Sequence, residues 1–179
     1  QFGIHRHGHA IEARVYAEDA ARDFLPQVGT AVRVRWPDGP FVRVDSGLES
    51  GDAVSVHYDP MLAKIIAYGP TRVAALQRLL GALDDTRVHG VVTNLPFLRA
   101  LLRAPEMARA EFDTEWVERE FLDGFMALSQ SPVPDLALAA AALADAVGGN
   151  AGPGAPSPGA TARRADPFTD LGAWRLGGE

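Results

Sequence analysis

The chain has 179 residues, 47% of them hydrophobic and 22% charged, with a formal net charge of −6. This is the composition of a globular domain with an extension, and its acidity argues against a general nucleic-acid surface. Cysteine is absent, which excludes disulfides and thiolate metal sites and fits a reducing, cytoplasmic setting.

The opening "QFGIHRHGHA" has neither an initiator Met nor the pattern of a signal peptide, and the chain reads as cut from something longer. No uninterrupted apolar run reaches membrane-spanning length, so no membrane association is expected. The first predicted strand covers residues 9–17, with Ile11, Ala13 and Val15 on one face and Glu12, Arg14 and Tyr16 on the other. "TAVRVRW", residues 30–36, alternates again. A "PDG" turn and "FVRVDS" follow, so residues 30–46 are expected to form a hairpin. "MLAKIIAYG", residues 61–69, is a mostly apolar run and predicts a buried strand.

Pro70 and Thr71 open a helix with Leu76, Leu79, Leu80 and Leu83 on one stripe. "VHGVV", residues 88–92, predicts a short strand, after which Asn94 stands where a side chain caps a helix carrying Leu98, Leu101 and Leu102. Asp113 or Thr114 can cap another, with Glu115 and Glu118 near its positive end. The expected organisation is an α+β domain over residues 1–128, an antiparallel β-sheet with flanking helices. An Ala-rich helix over 129–147 follows, then a flexible Gly/Pro/Ala-rich linker over 148–165, and the start of a further module at 166–179.

Few residues announce chemistry. Glu12 and Arg14 read as neighbours on a solvated strand face, worth little in stability. A guanidinium there is also the group suited to stabilising an oxygen that becomes negative, because it stays charged and offers a planar fork of donors. Asp59-Pro60 forces a turn in which Asp59 accepts backbone or arginine hydrogen bonds. Lys64, the only lysine among 17 basic residues, sits inside an apolar run and can reach a partner carboxylate. His5, His7 and His9 alternate, yet no carboxylate follows at a ligand's spacing, so no metal site is assigned. There is no Gly-rich phosphate loop and no G-x-S-x-G signature.

Three stretches in succession carry a family resemblance: "GHAIEARVYAED…FLPQVGTAVRVRWP", "VRVDSGLESGDAVSVHYDPMLAKIIAYG" and "GVVTNLPFLRALL…FDTEWVERE". From about His9 to Phe121 they resemble the C-terminal domain of biotin carboxylase, in the form found in the biotin-containing subunit of acyl-CoA carboxylases. The resemblance implies an ATP-dependent ligase that carboxylates carrier-bound biotin with bicarbonate. Arg14, in "EAR", would point at the ureido oxygen of biotin. Thr114 and Glu115 match the region lining the adenine end of the nucleotide site, and Arg43 matches a homodimer-interface position. ATP and Mg2+ would be bound mainly by an upstream ATP-binding portion. The carrier motif Ala-Met-Lys-Met is absent, since Lys64 sits in Leu-Ala-Lys-Ile. Biotin would therefore arrive on a separate carrier domain. "DPFTDLGAWRLGG" resembles the region that leads into docking of the carboxyltransferase partner. The isolated chain is expected not to catalyse carboxylation. The competing reading is a non-catalytic assembly or dimerisation module, or a truncated gene product.

Overall fold

The computed structural model describes Gly3 and residues 7–129 and 135–148. The chain divides into two units, Gln1–Ser131 and Pro132–Glu179. In the second, a helix spans Asp135–Gly148, with Leu136, Leu138 and Leu143 exposed. The remainder of the linker expected over 148–165, and the module start at 166–179, lie outside the described residues.

Nine strands and four α-helices, with a short 3-10 turn at Ala20–Arg22 and a π-helical turn at Val117–Phe121, make up the described part of the first unit. The strands are β1 (His9–Tyr16), β2 (Glu18–Asp19), β3 (Leu25–Pro26), β4 (Gly29–Thr30), β5 (Arg33–Arg35), β6 (Val42–Ser46), β7 (Ala53–Val54), β8 (Met61–Gly69) and β9 (Arg87–His89). The helices are α1 (Arg72–Asp85), α2 (Leu95–Arg103), α3 (Pro105–Arg109) and α4 (Leu122–Ser129). The main sheet is antiparallel, in the order β1-β8-β6. Its central strand is the apolar run read from the sequence. Strand alternation buries Ala63, Ile65 and Ala67, and Ile65 and Ala67 meet Ala13 and Val15 of β1 and Leu79, Ala82 and Leu83 of α1. Thr71 caps α1 by accepting from the Ala74 amide at 3.2 Å. A second cluster gathers Ala17, Ala31, Leu48, Leu62 and Val91. A third is aromatic: Phe97 meets Phe24, Phe121 and Phe125 edge-on, with centroids 4.9, 5.8 and 5.3 Å away.

The hairpin expected over residues 30–46 does not form. β5 pairs with β9, and β6 pairs with β8, so the two alternating segments join different sheets. The run 30–36 is itself broken: Gly29–Thr30 pairs with Ala53–Val54, Ala31 is buried, and Val32 is 70% exposed. Alternation records which face a residue takes but not which strand lies beside it. The strand expected over 88–92 ends at His89, where Gly90 adopts φ +96°. A Cβ on Gly90 would lie 2.2 Å from the Thr30 carbonyl oxygen. The close approach that carries the Val32 amide to the His89 oxygen, 2.8 Å away, therefore requires glycine.

Asn94 does precede α2, but its side chain makes no cap bond. It turns to β1 instead. Its Oδ1 accepts from the Tyr16 amide at 2.9 Å, its Nδ2 donates to the Arg14 carbonyl at 3.2 Å, and its own amide donates to the Tyr16 carbonyl at 3.1 Å. β1 is an edge strand whose register with β8 shifts between Val15 and Tyr16. Asn94, only 6% exposed, thus stands in for a missing neighbour strand where the ladder is interrupted.

Two variants test these constraints. Gly90→Ala should lower stability by at least about 2 kcal/mol, read as a fall in the urea midpoint. Gly39→Ala, which meets nothing within 4 Å, is the control. Asn94→Ala should cost about 2–3 kcal/mol by leaving the Tyr16 amide and Arg14 carbonyl unpaired, with faster hydrogen exchange at Tyr16. Unchanged exchange at that amide would mean the Asn94 bonds do not hold the strand.

Candidate functional site

The outward face of the main sheet carries its polar chemistry in rows fixed by strand register. Arg14 of β1 lies opposite Lys64 of β8, which lies opposite Asp45 of β6. One step along, Glu12 lies opposite Ile66, which lies opposite Arg43. The two outer strands repeat one device. Arg14 donates from Nε to Glu12 Oε1 at 2.9 Å, and Arg43 donates from Nε to Asp45 Oδ1 at 2.9 Å. Residues two apart on a strand share a face, so each arginine is oriented by a carboxylate of its own strand.

The Arg14 side chain is 56% exposed and Glu12 38%. Hydrogen bonding to Glu12, then to Tyr16, raises the guanidinium pKa, so Arg14 is a permanent cation. Glu12 accepts from Nε, and Tyr16 two residues along the same face adds to the hold on the guanidinium. On β6, the Arg43 bond holds the Asp45 carboxyl below the usual carboxylate range, with the Lys64 charge acting in the same direction. The lone lysine of the sequence thus does face a carboxylate, from the strand across the sheet. Arg14 and Arg43 share this face; Thr114 and Glu115 lie elsewhere. Those two exposed residues fall in the turn between α3 and α4, where Asp113 Oδ1 accepts from the Glu115 amide at 3.0 Å. Asp113 is therefore the residue that bonds back into this turn. Between this turn and α4, residues Val117–Phe121 form a π-helical turn.

Three features escaped the sequence. Asn94 reads as a helix cap, and no local signal reveals that its bonds run to residues about eighty positions away. Glu12 reads as a casual neighbour of Arg14, whereas it fixes the guanidinium. An acidic pair at the end of β1 was unread. Burial pushes the Glu18 carboxyl up, and Asp59 pushes it further. Asp59 also caps the turn into β8 by accepting from the Met61 amide at 2.8 Å. His9 is committed structurally, its Nε2 lying 3.2 Å from Arg72 Nη1, which requires the ring nitrogen to accept. Among the described residues, no group of three or more His, Cys, Asp or Glu could hold a metal ion.

The Glu18–Asp59 pair makes a pH prediction. Between the ordinary glutamate value and its raised folded value, the folded chain keeps a proton that the unfolded chain has released. Stability therefore falls as pH rises through that window. Glu18→Gln should stabilise the chain above the window and leave it unchanged below. In an NMR titration, Asp59→Asn should bring the Glu18 midpoint only part of the way down, because burial is the larger cause. A Glu18 midpoint at the ordinary glutamate value in the parent chain contradicts this.

Comparison with known proteins matches the chain to one family. The model of the biotin carboxylase C-terminal domain matches residues 12–119. The methylcrotonoyl-CoA carboxylase subunit alpha of Oryza sativa subsp. japonica is 44% identical over 113 residues, which is 63% of this chain and 15% of that protein. The propionyl-CoA carboxylase alpha chain of Ruegeria pomeroyi is 38% identical over 157 residues, covering 76% and 23% respectively. The chain thus spans less than a quarter of the length of these curated relatives. Among solved structures, a single-chain, multi-domain long-chain acyl-CoA carboxylase gives a TM-score of 0.65 at 36% identity, covering 72% of this chain and 14% of that one. The biotin carboxylase domain of a thermophilic 2-oxoglutarate carboxylase bound to bicarbonate gives 0.63 at 31%, covering 65% and 26%. With the family model matched along most of the ordered sheet and helices, the chain belongs to the biotin carboxylase C-terminal domain family.

Proposed function

We propose that this chain is the C-terminal portion of the biotin carboxylase of an acyl-CoA carboxylase alpha subunit, and that Arg14 is its catalytic residue. The observation that carries the reading is the geometry of Arg14: a half-exposed guanidinium on the outward sheet face, held at Nε by Glu12. Its backbone is held at the carbonyl by Asn94. A donor fixed in advance stabilises developing charge without reorganising when the charge appears.

Biotin would supply the ureido nitrogen that takes up the carboxyl unit and the ureido oxygen that gathers charge when that nitrogen loses its proton. Arg14 would donate to that oxygen through its Nη groups while Glu12 keeps Nε. Lysine would be a poor replacement, since a point charge on a flexible stem cannot be held by one donor and bond through others in one plane. The fit of the chain to biotin rests on this donor set. The described residues offer no comparable fit for Mg2+. ATP, bicarbonate and the metal would be bound mainly by an upstream ATP-binding portion, with Thr114 and Glu115 at the adenine end. Biotin would be presented by a carrier domain and would deliver its carboxyl group to a carboxyltransferase subunit. Arg43, on the same face as Arg14, would lie at a homodimer contact.

The test is complementation. The chain is mixed with the ATP-binding portion of a related alpha subunit, and bicarbonate-dependent ATP hydrolysis is measured with free biotin. Arg14→Ala should lower kcat by about 10²–10³. Arg14→Lys should recover only a small part, and Glu12→Gln should fall between. Full activity in Arg14→Ala refutes the catalytic assignment. Tight association with no activity in the parent mixture favours the assembly module.

A further inference from the structure

Apart from the main sheet, the β5–β9 ribbon presents a second concentration of charge. Its register sets Arg33 opposite His89 and Arg35 opposite Arg87. Directly opposite residues share a face, and so do residues two apart, so all four stand together. The other face carries Val34 and Val88, which pack on the core. All four polar residues are exposed, and Arg33 and Arg35 have no hydrogen-bond or ion-pair partner among the described residues. Like charges directly across a ladder are destabilising. In a chain of net charge −6, nothing in the composition forces this arrangement.

The ribbon borders a cavity of about 660 Å³. Arg87, His89, Arg99 and Arg103 line it, Asp84 is its single carboxylate, and Val91, Val92 and Pro96 supply apolar wall. Its arginines are held in place without being used up. Arg99 donates through Nε and Nη2 to the Leu83 and Thr86 carbonyls, which end α1. Arg87 donates from Nη1 to the Asp84 and Thr86 carbonyls. Arg103 grips both Asp84 oxygens through Nη2, at 3.1 and 2.9 Å. Each guanidinium has five N–H donors, so Nη1 of Arg99, Nη2 of Arg87 and Nη1 of Arg103 keep donors without an acceptor among the described residues. Burial lowers the Arg99 pKa, Asp84 opposes this, and the Arg87 and Arg103 charges add to the lowering.

We propose that the cavity between the β5–β9 ribbon and α2 binds a phosphorylated small molecule, its phosphates met by Arg87 and Arg103 with Arg33 and Arg35 alongside. Planar forks that are preset by carbonyls suit phosphate oxygens, which accept two parallel N–H bonds from one guanidinium. The concave form and size match a small ligand rather than a long polymer. The apolar wall gives the organic part of such a molecule a surface to lie on. Neither Arg14 nor the outer face of the main sheet takes part, so the site is independent of the catalytic reading.

The probe is inorganic pyrophosphate, added to the full chain at low ionic strength and followed by calorimetry and by amide NMR. Saturable one-to-one binding is expected, with shifts confined to β5, the end of α1, β9 and α2. Affinity should fall steeply with added salt. Arg87→Ala and Arg103→Ala should each weaken binding about tenfold. The double variant Arg33→Thr/Arg35→Thr removes no bond within the described chain, so it stays folded and serves if the Arg87 variant does not. It should weaken pyrophosphate while leaving the free chain at least as stable as the parent. No binding, shifts centred on Thr114 and Glu115, or undiminished binding in the double variant would each overturn the proposal.

Discussion

The fold depends on β8 being paired along both edges at once. A central strand has no freedom to slip, because a shift of one residue would turn Ile65 out to solvent and Lys64 into the core. Ile65 is fully buried against α1, so the hydrophobic cost of a slip locks the register. That lock has a chemical consequence. It sets Arg14, Lys64 and Asp45 in one row and Glu12, Ile66 and Arg43 in the next. The outer face is ordered because the inner face is packed.

Locking the register does not by itself fix the end of β1. There the ladder with β8 is interrupted, and the outward backbone groups of Arg14 and Tyr16 face no strand. Asn94 supplies both an acceptor and a donor, which one amide side chain can do and a carboxylate cannot. This ties the loop before α2 to the strand that carries Arg14. The position of Arg14 is thereby coupled to the aromatic cluster around Phe97, three residues beyond Asn94.

The two cationic regions obey opposite electrostatic rules. On the main sheet each arginine is matched by a carboxylate two residues along its own strand, and Lys64 lies opposite Asp45. On the β5–β9 ribbon like charges oppose each other across the ladder, with only Asp84 nearby to compensate. The first arrangement orients each guanidinium through a carboxylate of its own strand. The second leaves several donors convergent on a hollow, a layout that is stable only because each arginine also bonds carbonyls at the end of α1 or remains in solvent.

The sequence by itself determined what depends on near neighbours. Alternation fixed which side of β1 and β8 faces the core, Thr71 fixed where α1 begins, and the leucine stripe fixed the buried side of that helix. The motifs around Arg14 also carried the family. Only the tertiary structure decided which segments pair. β5 found β9 rather than β6, because a strand's pattern specifies a face while its partner is chosen by long-range packing. The same reason sent the Asn94 side chain to β1 instead of to its own helix. Bonds to an open strand edge are visible only once that edge has been brought beside it.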